Sequence, residues 1–229
     1  LVVQDLGNLP GSALDPAAVA LPNAAGLQAP LAAAQVPHLH HLQACRAWCQ
    51  LVNGAVAQSL AAGALPLMLG GDHHLAMGSI PAVWAHCQAS GKRLRVLWLD
   101  AHSDCNTPAT SPSGNVHGMP VAVLLGHGPA PLQDLAPQPL PASALRQLGL
   151  RSVDWAEKHN IAQFGIEAID MRAIDELGMP EVMRRVLRDV HGEGVHLHLS
   201  FDVDFLDPDL APGTGTPMRG GPGYREAQL

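Results

Sequence analysis

The chain has 229 residues, of which 47% are hydrophobic and 14% are charged, and its formal net charge at pH 7 is −7. This length fits one large domain covering residues 1–229, and the high apolar content excludes an intrinsically disordered chain. The excess of acidic residues argues against nucleic acid as a partner, so we expect a small or cationic one. The apolar runs are too short to span a membrane and the start lacks a signal-peptide pattern, which predicts a cytoplasmic protein.

The first half of the chain predicts an alternation of helices and strands. Apolar residues at helical spacing over 31–62 predict one long helix or two. Residues 64–69 form a short apolar run that two glycines end, which is typical of a buried strand followed by a tight turn. The spacing over 80–88 predicts another helix, and 95–99 predicts a strand that carries Asp100 at its tip.

The second half continues the alternation after a polar loop at 106–118. The further predicted elements are a helix at 119–125, a proline-rich surface connection at 129–141, strands at 148–153 and 164–169, a helix at 180–190 with exposed arginines, and a strand at 195–201. Strands that alternate with helices imply right-handed crossovers and a mainly parallel sheet covered on both faces, so we predict a single-domain, three-layer α/β/α fold. Ligands of such folds bind at the carboxyl ends of the strands.

Three of the predicted strands are followed by acidic or histidine side chains. The candidate metal ligands at these strand ends are His73, Asp100, His102, Asp104, Asp202 and Asp204. The candidates after one strand alternate along the chain, so in an extended backbone they leave on the same side. An Asp-x-Asp pair alone is more often a solvated turn or a helix cap, but three converging strand ends favour a metal site.

Charge and ligand chemistry indicate which metal this site would hold. Four carboxylates in one cleft would repel each other, and two divalent ions would offset their charge. Oxygen-rich ligation with two imidazoles and no thiolate favours Mn²⁺ over Zn²⁺, with Fe²⁺ and Co²⁺ as alternatives. Two ions bridged by Asp100 and Asp202 would lower the pKa of a shared water and produce a hydroxide nucleophile. The small negative balance that remains suits a substrate with one delocalised positive charge.

Three motifs resemble the signature motifs of the ureohydrolase family, in the same order and with compatible spacing. They are GGDH at 70–73, DAHSD at 100–104 and SFDVDFLDP at 200–208. The resemblance implies an arginase-like fold, two Mn²⁺ per subunit held by the six candidate ligands, and a trimer or hexamer of identical subunits. It also implies that Asp104 accepts a hydrogen bond from the bridging hydroxide.

The loop at 106–118 resembles that of arginases rather than that of agmatinases. The resemblance implies that Asn106, Ser113 and Asn115 bind the α-carboxylate of L-arginine with neutral donors, which are worth most where water is excluded. We therefore predict hydrolysis of L-arginine to L-ornithine and urea. A sibling activity on agmatine or another guanidino compound is the alternative.

The same resemblance implies further roles near the substrate. Asp154 would receive the α-amino group, with Glu157 as a second partner through water. His117 would shuttle protons to the leaving amine, and Thr216 would line the pocket.

The chain departs from the family pattern in several places. Phe205 is bulky where the family usually has a small residue, and Ser152 stands where arginases often place an acid. We also expect the chain to be truncated at both ends, without the acidic residue that would pair with the guanidinium group. A third interpretation is therefore an inactive chain that binds metal or associates with full-length subunits.

Other residues of ligand-forming types receive a structural interpretation. The four cysteines are too few and too scattered for a disulfide framework, so we expect them to be reduced, with Cys105 as a buried spectator. His74 follows a candidate ligand but matches no ligand position, and we expect it to be structural.

Overall fold

The structure is a computed structural model and describes residues 2–9, 39–136 and 138–229. Its four described strands form one parallel sheet in the order β3-β2-β1-β4. The strands are β1 Arg93–Leu99, β2 Leu145–Leu150, β3 Glu167–Asp170 and β4 Val195–Phe201. β1 and β4 pair over their whole length, from Arg93 opposite Val195 to Leu99 opposite Phe201. The residues that follow the two strands, Asp100 and Asp202, therefore lie side by side.

Helices precede, connect and follow the strands. They are α1 Leu42–Ala61, α2 Ala76–Ala89, α3 Pro120–Leu124, α4 Ala130–Gln133, α5 Trp155–Phe164, α6 Met171–Leu177, α7 Met179–Val186 and α8 Tyr224–Ala227. No helix in the part of the chain that the structure describes is both long enough and apolar enough to cross a membrane.

The helices cover both faces of the sheet, and the alternation of side chains along β1 shows how. Val96 and Trp98 point into a core shared with α1, α2 and α3. Leu97 and Leu99 point to the opposite face and pack with α6 and α7. Each side chain buried in this way stabilises the fold by roughly 1.5 to 3 kcal/mol. The predicted three-layer fold is confirmed.

Several predicted elements agree with the structure. The strand predicted at 195–201 is β4, and the strand predicted at 95–99 lies within β1. The helix predicted at 80–88 lies within α2. The helices at 119–125 and 180–190 correspond to α3 and α7, and the arginines of the latter are exposed. The cysteines are free thiols. Of the helix predicted at 31–62, the structure shows α1, and 31–38 lies outside the described residues.

The strand predicted at 64–69 is wrong. Leu65, Leu67 and Leu69 are 83%, 84% and 86% exposed, and no strand is assigned to this segment. An apolar run becomes a strand only where a neighbouring edge satisfies its backbone groups. Among the described strands, β4 pairs with β1 alone, and 64–69 does not join its other edge. Composition predicted burial here, but the segment does not pair with the described sheet and its leucines stay exposed.

Two other strand predictions have misplaced limits, and one connection is more ordered than expected. β2 ends at Leu150, so 151–153 leaves the sheet before Asp154. Phe164 is the last residue of α5, Gly165 caps the helix in the left-handed conformation, and β3 begins only at Glu167. The connection at 129–141 contains α4 and buries Leu132 in the core.

Candidate metal centre

Backbone pairing at the ends of β1 and β4 positions the central carboxylates. The N–H of Asp202 donates to the carbonyl of Leu99 at 2.9 Å, and that of Asp100 donates to Leu148 at 3.1 Å. These bonds continue the ladder one residue beyond each strand. The side chains of Asp100 and Asp202 are thus held by the sheet rather than by a mobile loop.

Two groups of side chains could each hold a cation, and Asp100 belongs to both. The first group is His73, Asp100 and Asp202, and the second is Asp100, His102 and Asp204, with one ligand atom per residue within 4.8 Å of the others. His73 Nδ1 lies 2.9 Å from Asp100 Oδ2 and 3.1 Å from Asp202 Oδ2. His102 Nδ1 lies 3.1 Å from Asp204 Oδ2. Three distant stretches of sequence therefore meet at one edge of the sheet.

The surroundings of the His73 imidazole indicate that these residues fit a cation. Its Nδ1 is buried and has no well-oriented hydrogen-bond partner among the described residues. That nitrogen nevertheless lies within 3.4 Å of carboxylate oxygens of Asp100, Asp104 and Asp202. Buried carboxylates that crowd an unsatisfied imidazole nitrogen form a donor set for a divalent ion, and oxygen-rich sets suit Mn²⁺.

The ionisation of the cluster follows from burial and charge. Burial opposes the charged form of both histidines, but the nearby carboxylates outweigh it and raise the pKa of His73 and of His102 to about 10. Burial also opposes ionisation of Asp100, but the two imidazoles hold its pKa below the usual value. The imidazolium protons and a cation would compete for the same carboxylates, so metal binding would release protons.

Asp104 lies beside His73 rather than within either three-residue group. Its Oδ2 is 3.4 Å from His73 Nδ1, and its backbone is left-handed, with φ of 52°. Burial, followed by the charge of Asp100, raises the pKa of Asp104 well above its usual value. Asp104 is therefore the carboxylate of the cluster that most readily takes up a proton.

Two residues of the strands themselves support the cluster, and sequence reasoning missed both. The indole of Trp98 stacks on His73 with 4.0 Å between ring centroids, and its Nε1 donates to Asp100 Oδ2 at 3.0 Å. Ser200 Oγ lies 3.0 Å from His73 Nε2. Trp98 and Ser200 each stand two residues before a candidate ligand, on the same face of the strand. This period-2 spacing is the signal that could have identified them.

The start of α5 brings together three residues predicted to contact substrate. Asp154 caps the helix, since its Oδ1 accepts the N–H of Glu157 at 2.8 Å and Glu157 Oε2 accepts the N–H of Asp154 at 3.1 Å. Asn106 Nδ2 donates to Asp154 Oδ2 at 2.9 Å. Burial raises the pKa of Glu157, whose Oε1 also accepts the N–H of Cys105. The capping box thus positions Asp154 and Asn106 next to the DAHSD motif.

The other predicted substrate residues differ in their distance from the cluster. Thr216 Oγ1 donates to Asp204 Oδ2 at 3.0 Å and so lies against a candidate ligand. His117 Nδ1 lies 3.1 Å from Oδ2 of Asp72, the residue before His73. Ser113 Oγ accepts the N–H of Asn115 at 3.2 Å within the loop itself.

The bulky Phe205 has a local explanation. Its ring is buried and packs against Gly149, which has φ of +94°, and a Cβ on Gly149 would come within 2.3 Å of that ring. The absence of a side chain at Gly149 therefore makes room for the large ring of Phe205. Ser152 lies next to the cluster, because it forms a parallel bridge with His102.

A parallel sheet that collects carboxylates and imidazoles at its carboxyl edge is the architecture of an α/β protein with a candidate two-metal site. The model of the arginase family matches residues 1–229, and the chain belongs to that family.

Individual relatives agree with this assignment. The chain is 40% identical over 211 residues to an arginase of Brucella melitensis, which covers 89% of this chain and 68% of that protein. It is 42% identical over 194 residues to an arginase of Bacillus caldovelox, covering 83% of this chain and 63% of that protein. A crystal structure of arginase from Bacillus cereus superposes with a TM-score of 0.77 at 42% identity, covering 84% of this chain and 65% of that one. The chain thus spans about two thirds of the length of these relatives.

Proposed function

We propose that the protein hydrolyses the guanidinium group of L-arginine to L-ornithine and urea at a site for two Mn²⁺ ions. The observation that carries the proposal is the pair of ligand groups that share Asp100. His73 and Asp202 would complete one site, and His102 and Asp204 would complete the other. When bound, the two ions would supply a hydroxide nucleophile at neutral pH.

Two residues near the cluster, Asp104 and His117, would take part in proton transfer. Asp104, whose Oδ2 lies 3.4 Å from His73 Nδ1, would accept a hydrogen bond from the attacking water. The contact between His117 Nδ1 and Asp72 would leave Nε2 of His117 free to exchange a proton with the leaving amine. His117 is partly exposed, so it could also exchange protons with solvent.

Recognition of the substrate would use charge near the metals and hydrogen bonds farther out. The cluster of carboxylates attracts the cationic guanidinium group. Asn106, Ser113 and Asn115 would donate to the α-carboxylate. Asp154 would accept the α-amino group with the lone pairs that Asn106 and the backbone of Glu157 leave unused, and Glu157 would assist through water.

The test compares urea release from L-arginine and from agmatine at equal Mn²⁺ concentration. We expect L-arginine to be preferred, and Asn115→Ala to raise KM for L-arginine while leaving KM for agmatine nearly unchanged. Pro112→Ala is the matched control, because it changes an exposed position of the same loop whose side chain has no hydrogen-bond donor. A preference for agmatine would refute the role of the loop. Bound Mn²⁺ without urea release from either substrate would refute the catalytic proposal and support a chain that only binds metal.

We further propose that the chain acts in the cytoplasm as a homo-oligomer, a trimer or hexamer, as the family resemblance implies. Sedimentation equilibrium of the metal-loaded protein tests the assembly. A monomer at micromolar concentration would contradict it.

A further inference from the structure

The side chain of Arg151 lies in the middle of the loop that follows β4, and no motif drew attention to it. Its guanidinium group donates to six backbone carbonyl oxygens. They belong to Gly149, Asp204, Phe205, Leu206, Met218 and Arg219. The two shortest bonds, both 2.7 Å, join Nη2 to the carbonyls of Asp204 and Met218.

Five of these carbonyls come from two limbs of one loop, and the sixth, that of Gly149, belongs to β2. The outgoing limb, 204–206, carries the candidate ligand Asp204, and the returning limb, 218–219, follows the pocket residue Thr216 by two positions. Thr216 in turn donates to Oδ2 of Asp204. Arg151 therefore fixes the distance between the two limbs, and with it the contact between Thr216 and the candidate ligand Asp204.

A second tie shows that the two limbs are held together along their length. Asp207 Oδ2 accepts the N–H groups of Gly220 and Gly221, and the N–H of Asp207 donates to the carbonyl of Pro222. Gly221 has no room for a side chain, because a Cβ there would come within 2.5 Å of Arg151 Nη2. The loop is thus packed closely around the guanidinium plane.

The role of Arg151 depends on geometry as well as charge. It forms no ion pair within 4 Å among the described residues, and all its direct partners are neutral carbonyls. A planar guanidinium group has five N–H donors in a fixed fork, whereas a lysine ammonium has three donors on one atom. Lysine at this position would keep the charge but would lose most of the carbonyl contacts.

We propose that Arg151 is a positioning residue that fixes Asp204 and Thr216 for the second metal site, the one formed by Asp100, His102 and Asp204. This inference rests on the proposed function for the identity of the metal. Arg151 itself would touch neither metal nor substrate. Its loss would loosen the 204–222 loop and would weaken the second site more than the first, to which His73 and Asp202 belong.

The test uses Arg151→Lys, with Arg172→Lys on the exposed surface of α6 as the matched control. Mn²⁺ binding is followed by the electron paramagnetic resonance signal of free Mn²⁺, and backbone mobility is followed by amide hydrogen exchange without metal. We expect one Mn²⁺ to bind nearly as in the wild type and the other at least about tenfold more weakly. Amide exchange should accelerate at 203–222 and stay unchanged in β4.

Gly221→Ala provides a second variant, since its Cβ would displace both the guanidinium group of Arg151 and the backbone of 206–207, and it should give the same selective loss. Unchanged amide exchange, equal weakening of both ions, or wild-type binding by Arg151→Lys would each overturn the inference. If both variants unfold as a whole, the inference is also overturned, because Arg151 would then be needed for the stability of the fold and not specifically for the second metal site. Neither readout uses arginine, so a wild-type protein that binds Mn²⁺ without releasing urea refutes only the proposed function.

Discussion

The indole N–H of Trp98 donates to Oδ2 of Asp100 at 3.0 Å, while the same ring stacks on the imidazole of His73. Trp98 is fully buried in β1 and Asp100 is 1% exposed, so water cannot replace this bond. One side chain thus orients two residues of the first ligand group. Groups that orient ligands in this way commonly change metal affinity when they are altered.

Trp98→Phe should retain the stacked ring and lose the N–H donor. We expect Mn²⁺ affinity to fall by about tenfold, because Asp100 would no longer be held in one orientation. Isothermal titration with Mn²⁺ measures the change. Trp84→Phe is the control, since the indole N–H of Trp84 has no hydrogen-bond partner among the described residues. Equal affinities for the two variants would show that the Trp98 bond does not support the site.

Asp104→Asn should affect stability and metal binding in opposite directions. Because burial and the charge of Asp100 raise the pKa of Asp104, its protonated form stabilises the fold below the unfolded-state pKa, and that contribution is lost as pH rises. Asn removes the charge and tolerates the left-handed backbone. At pH 7 without metal we expect a Tm higher by roughly 2 to 4 °C, which corresponds to about 1 kcal/mol for a chain of this size.

With Mn²⁺ present, the Tm of Asp104→Asn should no longer exceed that of the wild type, because the ions would then lack one carboxylate. Thermal unfolding with a chelator and with excess Mn²⁺ separates the two effects. Asp175→Asn, on the exposed side of α6, should change neither value. A lower Tm of Asp104→Asn in the chelator would contradict the charge argument.

Thr216→Val should weaken the second metal site because it removes the hydroxyl that donates to Asp204 Oδ2. Thr216 is exposed, so solvent can replace part of this bond, and we expect a loss of affinity of about threefold to tenfold. Thr216→Ser keeps the hydroxyl and should bind Mn²⁺ as the wild type does. If the valine and serine variants bind equally, the hydroxyl has no role in holding the ligand.

His198 in β4 should make the fold sensitive to mild acid. Burial, with a smaller effect of the His196 charge, lowers the pKa of His198 to about 4. Between that value and an unfolded pKa of about 6.5, the unfolded chain binds more protons, so stability falls as pH falls through this window. Because His198 is only partly buried, we expect it to account for about 1 kcal/mol of the loss between pH 7 and pH 5.

Urea unfolding of His198→Gln at both pH values measures this contribution. The variant should lose less stability than the wild type on acidification, while His191→Gln, on the exposed surface, should behave as the wild type. An equal acid loss in His198→Gln and the wild type would exclude His198 as the source.

Much of the fold could be predicted because the relevant signals are local. The apolar run of β4 and its aspartate ending stand together in the sequence, and the structure places the strand at 195–201 as predicted. Five of the six candidate ligands could be identified for the same reason, since they follow the ends of β1 and β4 within a few residues. Their mutual distances come from the pairing of Leu99 with Phe201, which joins residues about a hundred positions apart. His73 was identified from its motif, although the strand predicted before it does not form.

Other features depended on partners that a local pattern does not contain. The run at 64–69 has the composition of a strand, yet strand formation needs pairing with a neighbouring edge, and this segment does not pair with the described sheet. The contacts of Arg151 with 204–206 and 218–219 likewise involve backbone carbonyls, which every residue carries and no side-chain motif reveals. Side-chain chemistry and its spacing along the chain thus identify the elements and the candidate ligands. The folded chain alone decides which carbonyls, edges and rings approach each other, because those contacts join segments far apart in sequence.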